Sequence, residues 1–438
     1  MKRHDLIQPA SEAGCASYQR VSRRALLQAG GLSGLLWLTP LARALGQLQD
    51  QRPQVRPKSL IVLWMDGGPS QLETFDPHPG TSIGGQVRAI ETSVPGVRLA
   101  SGLEQLADQM KRLAVVRNVV SKEGDHERAI YYVKTGYRPD PTVVHPALGA
   151  ILCHELPDAG TEIPRHVAIL PGQWPPRGGY MGDQYNAFLM GDPSAPPEDV
   201  RSPLSDTARY DRRWNDLSVV ETEFARGRLK GLDQQRLLHQ STMQRARQMM
   251  TSDQLRAFDL NEVPLAEQAQ FGDSRFGRAC LVAARLIQVG VRCVEVSLGT
   301  WDSHVNNHET QAARVRDLDP GFAGLLNYLA EHELLDDTVV LWGGEFGRTP
   351  RLNGAEGRDH WPHGFSLALA GGGIRGGQVI GETDPEGSQI KYEDGFPVAD
   401  VHATILKTLG VDYQRELITP VGRPLKLSDG QPIAKLIG

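Results

Sequence analysis

The chain has 438 residues, which excludes a small disulfide-stapled module and allows one large α/β domain or two smaller ones. Hydrophobic residues make up 40% and charged residues 23%, so we expect a buried core and not global disorder. The net charge of −5, from 47 basic and 52 acidic residues, gives no basic excess for nucleic acid, and four cysteines are too few for a disulfide scaffold.

The first 44 residues have the pattern of a Tat-type signal peptide. Arg23 and Arg24 precede a moderately apolar run, which ends in a small-residue cleavage motif (ARA) at 42–44. A membrane anchor is the alternative, but the run is short, broken by glycines and interrupted by Gln28. We therefore expect the Tat export machinery as a partner and a periplasmic or extracellular location. A polar linker at 45–58 would lead into a mature protein that is not membrane-embedded.

Short apolar runs then alternate with helical patterns along residues 59–438. The runs resemble strands buried on both faces, and they lie at 60–65, 113–116, 166–170, 291–296, 338–342 and 366–370. Helical patterns lie at 103–112, 144–155, 276–289 and 321–331. This alternation predicts an α/β fold, a three-layer sandwich whose mostly parallel central sheet is covered by helices on both faces. Such folds place their chemistry at the carboxyl ends of the strands.

Two segments depart from this alternation. Residues 205–262 are rich in Arg, Gln, Asp and Leu and predict a helical insertion, whose charges form either a solvated face or a binding patch. Residues 371–400, rich in Gly, Asp and Pro, predict loops and a hairpin. After signal cleavage three cysteines remain without metal-ligand spacing, and we interpret Cys153, Cys280 and Cys293 as buried thiols.

Acidic and histidine side chains follow several of the predicted strands. These candidate metal ligands are Asp66, Asp302, His304, Glu345 and His360. Mixed carboxylate and imidazole ligands suit a divalent metal, zinc first and calcium, magnesium or manganese as alternatives. Ligands at the ends of separate strands can converge on one or two ions. Each residue also has a simpler explanation as a cap, a turn or a surface loop, and Glu345 could instead pair with Arg348.

Further candidates lie near these ligands. His126 and Glu127 fit a metal ligand and a base, or equally the start of a helix capped by Asp125. Ser70, close to Asp66, is either a hydroxyl nucleophile or a turn residue.

Other motifs argue against common enzyme classes. The GxGxxG pattern at 371–376 is followed by apolar Val379-Ile380 and not by a helix, so it does not indicate a dinucleotide site. The sequence contains neither a Walker A motif nor the GxSxG motif of serine α/β-hydrolases.

Five motifs together resemble the DUF1501 family, a bacterial family common in planctomycetes with Tat-type leaders. They are LWMDGGPSQLETFDP (63–77), TGYRP (135–139), WDSH (301–304), GGEFGRTP (343–350) and GRDHW (357–361). The resemblance runs from about residue 55 to the end of the chain. The family is related to the alkaline phosphatase/sulfatase superfamily, which implies an alkaline-phosphatase-like core with a metal site at one edge of the sheet.

The resemblance also implies roles for single residues. Asp66 is similar to the superfamily's first-strand metal ligand. Asp302 and His304 are similar to its Asp-plus-His pair, although their spacing is tighter. Glu345 takes the place of the Asp in an Asp-His motif, and His360 is similar to the last His ligand. His363 would be the substitute for His360.

The sequence departs from the superfamily at the nucleophile. In sulfatases this residue precedes a Thr-Gly pair, and the matching position before Thr135 holds His126, not Cys, Ser or Thr. Either His126 is a metal ligand and water attacks directly, or another residue such as Ser70 serves as nucleophile, or activity is lost. In an active hydrolase, His126 would be ligand, nucleophile or general base. Arg348 would stabilise negative charge on the transferred group, or would pair with Glu345.

Three functions fit these observations. The first is an exported metal-dependent hydrolase of phosphate or sulfate esters, acting on a small-molecule or glycan substrate. The second is a non-catalytic periplasmic protein that binds metal or glycan on the same fold. The third is a component of an export or surface complex that uses residues 205–262 as its interface.

Overall fold

The computed structural model describes residues 57–197, 200, 207–225 and 233–438. The predicted Tat signal and nearly all of the predicted linker lie outside these residues. Among the helices of the described chain, none combines the length and the apolar character that a membrane span requires.

The strands are short and mostly buried. In chain order they are β1 (Ser59–Met65), β2 (Ala89–Glu91), β3 (Arg98–Ala100), β4 (Leu113–Val120), β5 (His166–Ile169), β6 (Phe188–Met190), β7 (Cys293–Leu298), β8 (Thr338–Gly343), β9 (Gly347–Arg348), β10 (His360–Trp361), β11 (His363–Ala370), β12 (Gln378–Ile380), β13 (Phe396–Pro397), β14 (Glu416–Ile418) and β15 (Pro424–Lys426).

The helices lie largely between these strands. They are α1 (Glu104–Asp108), α2 (His126–Thr135), α3 (Leu148–Glu155), α4 (Thr207–Ala225), α5 (Asp233–Thr251), α6 (Leu265–Ala269), α7 (Arg275–Gln288), α8 (Asn307–Glu331) and α9 (Val398–Thr408).

One large sheet organises the described chain. Its strand order is β12-β4-β11-β8-β1-β7-β5-β6, and β13 also pairs with β4. The pairings are parallel except those of β11, which runs antiparallel to both β4 and β8. The pairs β2–β3, β9–β10 and β14–β15 form separate two-stranded ladders. The mostly parallel sheet therefore brings the carboxyl ends of β1, β4, β7 and β8 to one edge, where β11 begins.

Helices cover both faces of this sheet. Alternate residues of β1 point to opposite faces, as the period of a strand requires. Ile61 and Leu63 belong to a core shared with α1, α7 and α8. Leu60 and Trp64 belong to a second core shared with α2, α3 and α9. The prediction of a three-layer α/β sandwich is thus confirmed.

Several local predictions need correction. The predicted hairpin within 371–400 is absent from the described chain, because β12 and β13 each pair in parallel with β4. Helix α8 begins at Asn307 and contains Pro320, whereas the pattern predicted a helix only from residue 321. The segment 205–262 contains α4 and α5. By contrast, the interpretation of Cys153, Cys280 and Cys293 as buried thiols agrees with the structure, in which all three are free and buried.

Candidate metal centre

The carboxyl edge of the sheet collects acidic and histidine side chains from five segments. Asp66 follows β1 directly, Glu345 lies two residues after β8, and Asp302 lies four residues after β7. His126 is the first residue of α2, which follows β4. His360 lies in β10, just before β11 starts at this same edge because of its antiparallel direction. Residues far apart in the sequence therefore meet here.

Local capping fixes the position of His126. The Asp125 side chain accepts a hydrogen bond from the backbone N–H of Arg128 at 3.3 Å and caps α2. The helix ends at Gly136, which adopts φ 77°, a left-handed conformation that glycine favours. The helix start foreseen from the sequence is present, and the same start places His126 beside Glu345. The two interpretations of this segment are compatible.

Three imidazole rings at this edge have Nδ1 bound to an acceptor. Donation from Nδ1–H leaves the lone pair of Nε2 free for a metal, an arrangement typical of histidine ligands. The pairs are His126 with Glu345 Oε1 at 2.7 Å, His304 with Asp359 Oδ1 at 2.7 Å, and His360 with the carbonyl oxygen of Gly124 at 2.8 Å.

The Nε2 atoms of these rings converge on the carboxylate of Asp302. His126 Nε2 lies 3.5 Å from Oδ2, whereas His304 Nε2 and His360 Nε2 lie 3.2 and 3.5 Å from Oδ1. The Nε2 atoms of His304 and His360 are only 3.1 Å apart. Ligand atoms of His126, Asp302 and His360 all lie within 4.8 Å of one another, a spacing that can hold a metal ion.

The electrostatics of the cluster couple Asp302 to His126. Burial opposes ionisation of Asp302, but hydrogen bonds from His126 and His360 and the charge of Arg348 outweigh it and hold its pKa well below the usual range. The hydrogen bond to Asp302, followed by that to Glu345, raises the pKa of His126 to about 9. A metal that binds His126 Nε2 at neutral pH must therefore displace a proton.

Glu345 is a fully buried carboxylate with one unpaired oxygen. Its Oε1 accepts hydrogen bonds from the backbone N–H of Gly67 at 3.0 Å and from His126. Its Oε2 is buried without a hydrogen-bond partner among the described atoms. Burial raises the pKa of Glu345, and the charge of Asp66 adds to this rise. An unpaired buried carboxylate oxygen is costly, and a cation beside it would remove that cost.

Arg348 is fully buried and pairs with Asp302. Its Nη2 lies 2.5 Å from Asp302 Oδ1 and also donates to the carbonyl of Gly67. Its Nε donates to the carbonyl of Gly68 at 3.0 Å, and its Nη1 to that of Arg358 at 3.1 Å. The expected alternative, an ion pair with Glu345, is replaced by this pair with Asp302. All three guanidinium nitrogens are bound by the protein, so Arg348 orients Asp302.

The remaining predicted site residues lie beside the cluster. Asp66 Oδ1 accepts a hydrogen bond from Trp64 Nε1 at 3.3 Å, and Asp66 is close enough to Glu345 to affect its pKa. Ser70 is completely buried. A substrate could not reach this hydroxyl in the structure as it stands. His363, considered as a substitute ligand, begins β11 and contacts the Trp361 ring edge-on.

Two contributors to the cluster were missed in the sequence. Asp359 orients His304, and this hydrogen bond lowers the pKa of Asp359. The carbonyl oxygen of Gly124 orients His360. Asp359 stands beside His360 in the GRDHW motif, so its chemistry was visible there. The carbonyl of Gly124 leaves no signal in the sequence.

Several proteins of known structure are similar to the chain. It is similar to a protein in the alkaline phosphatase superfamily from Vibrio parahaemolyticus, with 14% identity, a TM-score of 0.34, and coverage of 87% of this chain and 71% of that one. It is similar to the PsFucS1 sulfatase from Pseudoalteromonas sp., with 11% identity, a TM-score of 0.35, and coverage of 84% and 71%. It is similar to alkaline phosphatase from the Antarctic bacterium TAB5, with 10% identity, a TM-score of 0.34, and coverage of 82% and 99%.

Sequence comparison gives the family directly. No curated protein is significantly similar to the chain in sequence. The model of one family, described as "Protein of unknown function (DUF1501)", matches residues 57–437, which is most of the chain. The motifs singled out in the sequence lie within this range. The protein is therefore a member of the DUF1501 family.

Proposed function

We propose that this chain is a metal-dependent hydrolase of phosphate or sulfate esters. The observation that carries the proposal is the convergence of three oriented imidazole Nε2 atoms on the carboxylate of Asp302, at the edge of the sheet where ligands of α/β folds bind. Such a constellation, with buried and partly buried acids around it, suits the chemistry of a metal-assisted displacement.

The donor set fits a divalent cation. Nitrogen and carboxylate ligands together suit Zn²⁺ first, with Mn²⁺, Mg²⁺ or Ca²⁺ as alternatives. Four carboxylates and one guanidinium gather here, which leaves net negative charge when the imidazoles are neutral; the carboxylates are those of Asp66, Asp302, Glu345 and Asp359. The unpaired Oε2 of Glu345 beside Asp66 supports a cation on that side as well.

The residues around the proposed cation have separate roles. A cation bound here would polarise an ester oxygen and lower the pKa of a water molecule. Glu345 and Asp359 orient His126 and His304 through their Nδ1 atoms, as carboxylates commonly do for metal-binding histidines. Arg348 holds the Asp302 carboxylate among the three rings.

We assign the attack to water. By the resemblance to sulfatases, His126 would take the position of the hydroxyl or thiol nucleophile, and Ser70 is buried. In the step that we propose, the water oxygen bonds to phosphorus or sulfur and the bond from that atom to the ester oxygen breaks. The departing alcohol takes up one proton of the water. The other proton stays on the product phosphate or, when the product is sulfate, leaves to solvent, so atoms and charge balance.

The test is a panel of phosphate and sulfate monoesters and diesters. Protein stripped with a chelator should be inactive and should recover turnover when Zn²⁺ or another divalent metal is added back. Asp302→Ala should lower both metal content and turnover. Turnover that survives chelation and the Asp302→Ala change would contradict the proposal.

A second candidate function is metal or glycan binding without catalysis. The occupied guanidinium of Arg348 favours it, because the protein itself uses most of the N–H groups that would otherwise stabilise a transferred group. Metal content does not separate the two candidates, whereas turnover does. Stoichiometric metal with no turnover on any ester of the panel would support the binding function.

We also propose export through the Tat pathway, on the strength of the twin arginines and the apolar run that follows them. Replacing Arg23 and Arg24 by lysine should leave the precursor in the cytoplasm. Fractionation of cells that express the two forms tests this. Normal export of the lysine variant would contradict it.

A further inference from the structure

A groove of about 690 Å³ runs beside the candidate metal centre. Helix α2 forms one wall and the loop that follows β5 forms the other, so the groove opens at the same edge of the sheet as the metal centre. Asp125 and Glu127, the neighbours of His126 in the chain, line its near end. Tyr131 and Lys134 continue the wall along the helix. From Glu127 to Lys134 the groove follows α2 for about 10 Å.

The opposite wall also reaches the metal centre. The loop after β5 approaches Asp66 so closely that a Cβ atom on Gly172 would lie 2.9 Å from Asp66 Oδ2. Two residues later Trp174 lines the groove, and its carbonyl oxygen accepts a hydrogen bond from Lys134 Nζ at 2.9 Å. Lys134 is itself held by Glu295, 2.7 Å away. These contacts fix the loop, and with it the backbone of Trp174, against the helix.

Side-chain rings supply much of the apolar surface of the groove. Trp174 is half-buried, so part of its indole remains open to the groove. Pro139, Pro175 and Pro176 add further ring surfaces. The hydroxyl of Tyr131 is occupied by His145, to which it bonds through Nδ1 at 2.9 Å and the backbone N–H at 2.7 Å. Tyr131 therefore presents mainly its ring to the groove.

The charges in the groove disfavour an anionic occupant at its near end. Asp125 and Glu127 are both exposed there. Arg128 also lines the groove, but its guanidinium is paired with Glu123 at 2.7 and 3.0 Å. Lys134 is neutralised by its buried pair with Glu295. The exposed Arg177 lies on the opposite wall, in the loop that follows β5. The anionic part of an ester therefore fits the metal centre better than it fits the near end of the groove, beside Asp125 and Glu127.

We propose that this groove binds the alcohol portion of the substrate, and that this portion carries no negative charge beside Asp125 and Glu127 and has a ring that packs against Trp174. The inference rests on the proposed hydrolase function and adds the class of leaving group. A ring with an apolar face gains most from the indole and proline surfaces, and the hydroxyl groups of such an alcohol can remain in water at the open side of the groove.

The experiment compares cyclohexyl with ethyl esters of phosphate and of sulfate, because the two leaving alcohols have similar acidity. The wild-type enzyme should prefer the cyclohexyl ester. Trp174→Ala should lower kcat/KM for the cyclohexyl ester about tenfold and change that for the ethyl ester by less than about threefold. Leu265→Ala, a change at a highly exposed residue outside the groove, should alter neither value.

Two further measurements keep the inference testable. Circular dichroism checks that Trp174→Ala is folded, and Trp174→Leu replaces it if it is not; loss of the cyclohexyl preference is expected in either variant. If the wild type hydrolyses neither ester, the full panel of monoesters and diesters decides the hydrolase proposal, and calorimetric binding of cyclohexyl and ethyl phosphate to the Zn²⁺-loaded protein tests the groove alone. Equal affinity of the wild type for both, or equal losses in the variant for both, would overturn the inference.

Discussion

The buried ion pair between Lys134 and Glu295 should contribute to the free energy of unfolding, and removing one partner tests this. Glu295 lies in the central strand β7 with its side chain 4% exposed, and Lys134 of α2 is 8% exposed. The ammonium lies 2.7 Å from Glu295 Oε1 and 4.7 Å from the centre of the Trp64 ring. The change Lys134→Met preserves most of the side-chain volume and removes only the charge and its hydrogen bonds.

The expected cost follows from the carboxylate that remains. Removing one partner of a buried ion pair typically costs about 3–5 kcal/mol of unfolding free energy, because the other charge is left uncompensated. Burial already raises the pKa of Glu295, and Lys134 opposes this rise. Without Lys134 the folded protein binds a proton at Glu295 more tightly than the unfolded chain does. Stability should then fall by about 1.4 kcal/mol per pH unit above the ordinary pKa of glutamate, until the raised pKa is reached.

Urea unfolding at pH 5 and pH 8 measures this cost. Lys134→Met should be destabilised at both pH values and more strongly at pH 8. Adding Glu295→Gln should restore most of the loss, leaving about 1 kcal/mol for the hydrogen bond that the carbonyl of Trp174 no longer accepts. A double variant as unstable as the single one, or equal losses at the two pH values, would refute the reasoning.

Three other changes test the metal centre and the second core. Asp359→Asn removes the charge that orients His304 and should weaken Zn²⁺ binding about 10- to 100-fold, measured in competition with a chelating dye. The control Glu416→Gln, at an exposed residue, should leave Zn²⁺ affinity unchanged. Equal Zn²⁺ affinities of the wild type and Asp359→Asn would contradict the role of Asp359. Because His126 has a pKa of about 9, Zn²⁺ must displace a proton, and Zn²⁺ affinity should rise about tenfold per pH unit from pH 6 to 8. Calorimetry in buffers of different ionisation heat should detect the release of this proton. A Zn²⁺ affinity that does not change with pH would contradict this. Burial lowers the pKa of His402 to about 4, so the unfolded chain takes up a proton before the folded chain does as the pH falls below about 6.5. This group should therefore remove about 3 kcal/mol of unfolding free energy between pH 6.5 and 4. His402→Gln should flatten that part of the pH profile of urea unfolding, and an unchanged profile would contradict this.

The central sheet was largely predictable because its strands are buried on both faces. The run 60–65 has no polar residue to obscure it, and its observed partner β7 is buried along its whole length. The direction and pairing of strands are set by contacts between distant segments, which local patterns do not contain. The antiparallel β11 and the parallel β12 are examples, since neither carries a local signal of its direction.

The candidate site was predictable in part for the same reason. Asp66 stands directly after an apolar strand, and Glu345 and Asp302 stand two and four residues after β8 and β7. Parallel strands bring such positions to one edge. What Arg348 binds was not predictable, because its choice between Asp302 and Glu345 depends on the turn that follows β8. The hydrogen bond that the Gly124 carbonyl accepts from His360 could not be predicted either, because a backbone oxygen has no sequence signature.

The most direct test of the account is the metal content of the purified protein, measured by inductively coupled plasma mass spectrometry after dialysis against buffer with trace Zn²⁺. Wild type and the Glu416→Ala control should retain close to one or two equivalents of divalent metal per chain, and Asp302→Ala should retain far less. Metal-free wild type under these conditions, or an Asp302→Ala variant with an undiminished metal content, would contradict the claim that side chains from separate strands join around a cation at this edge.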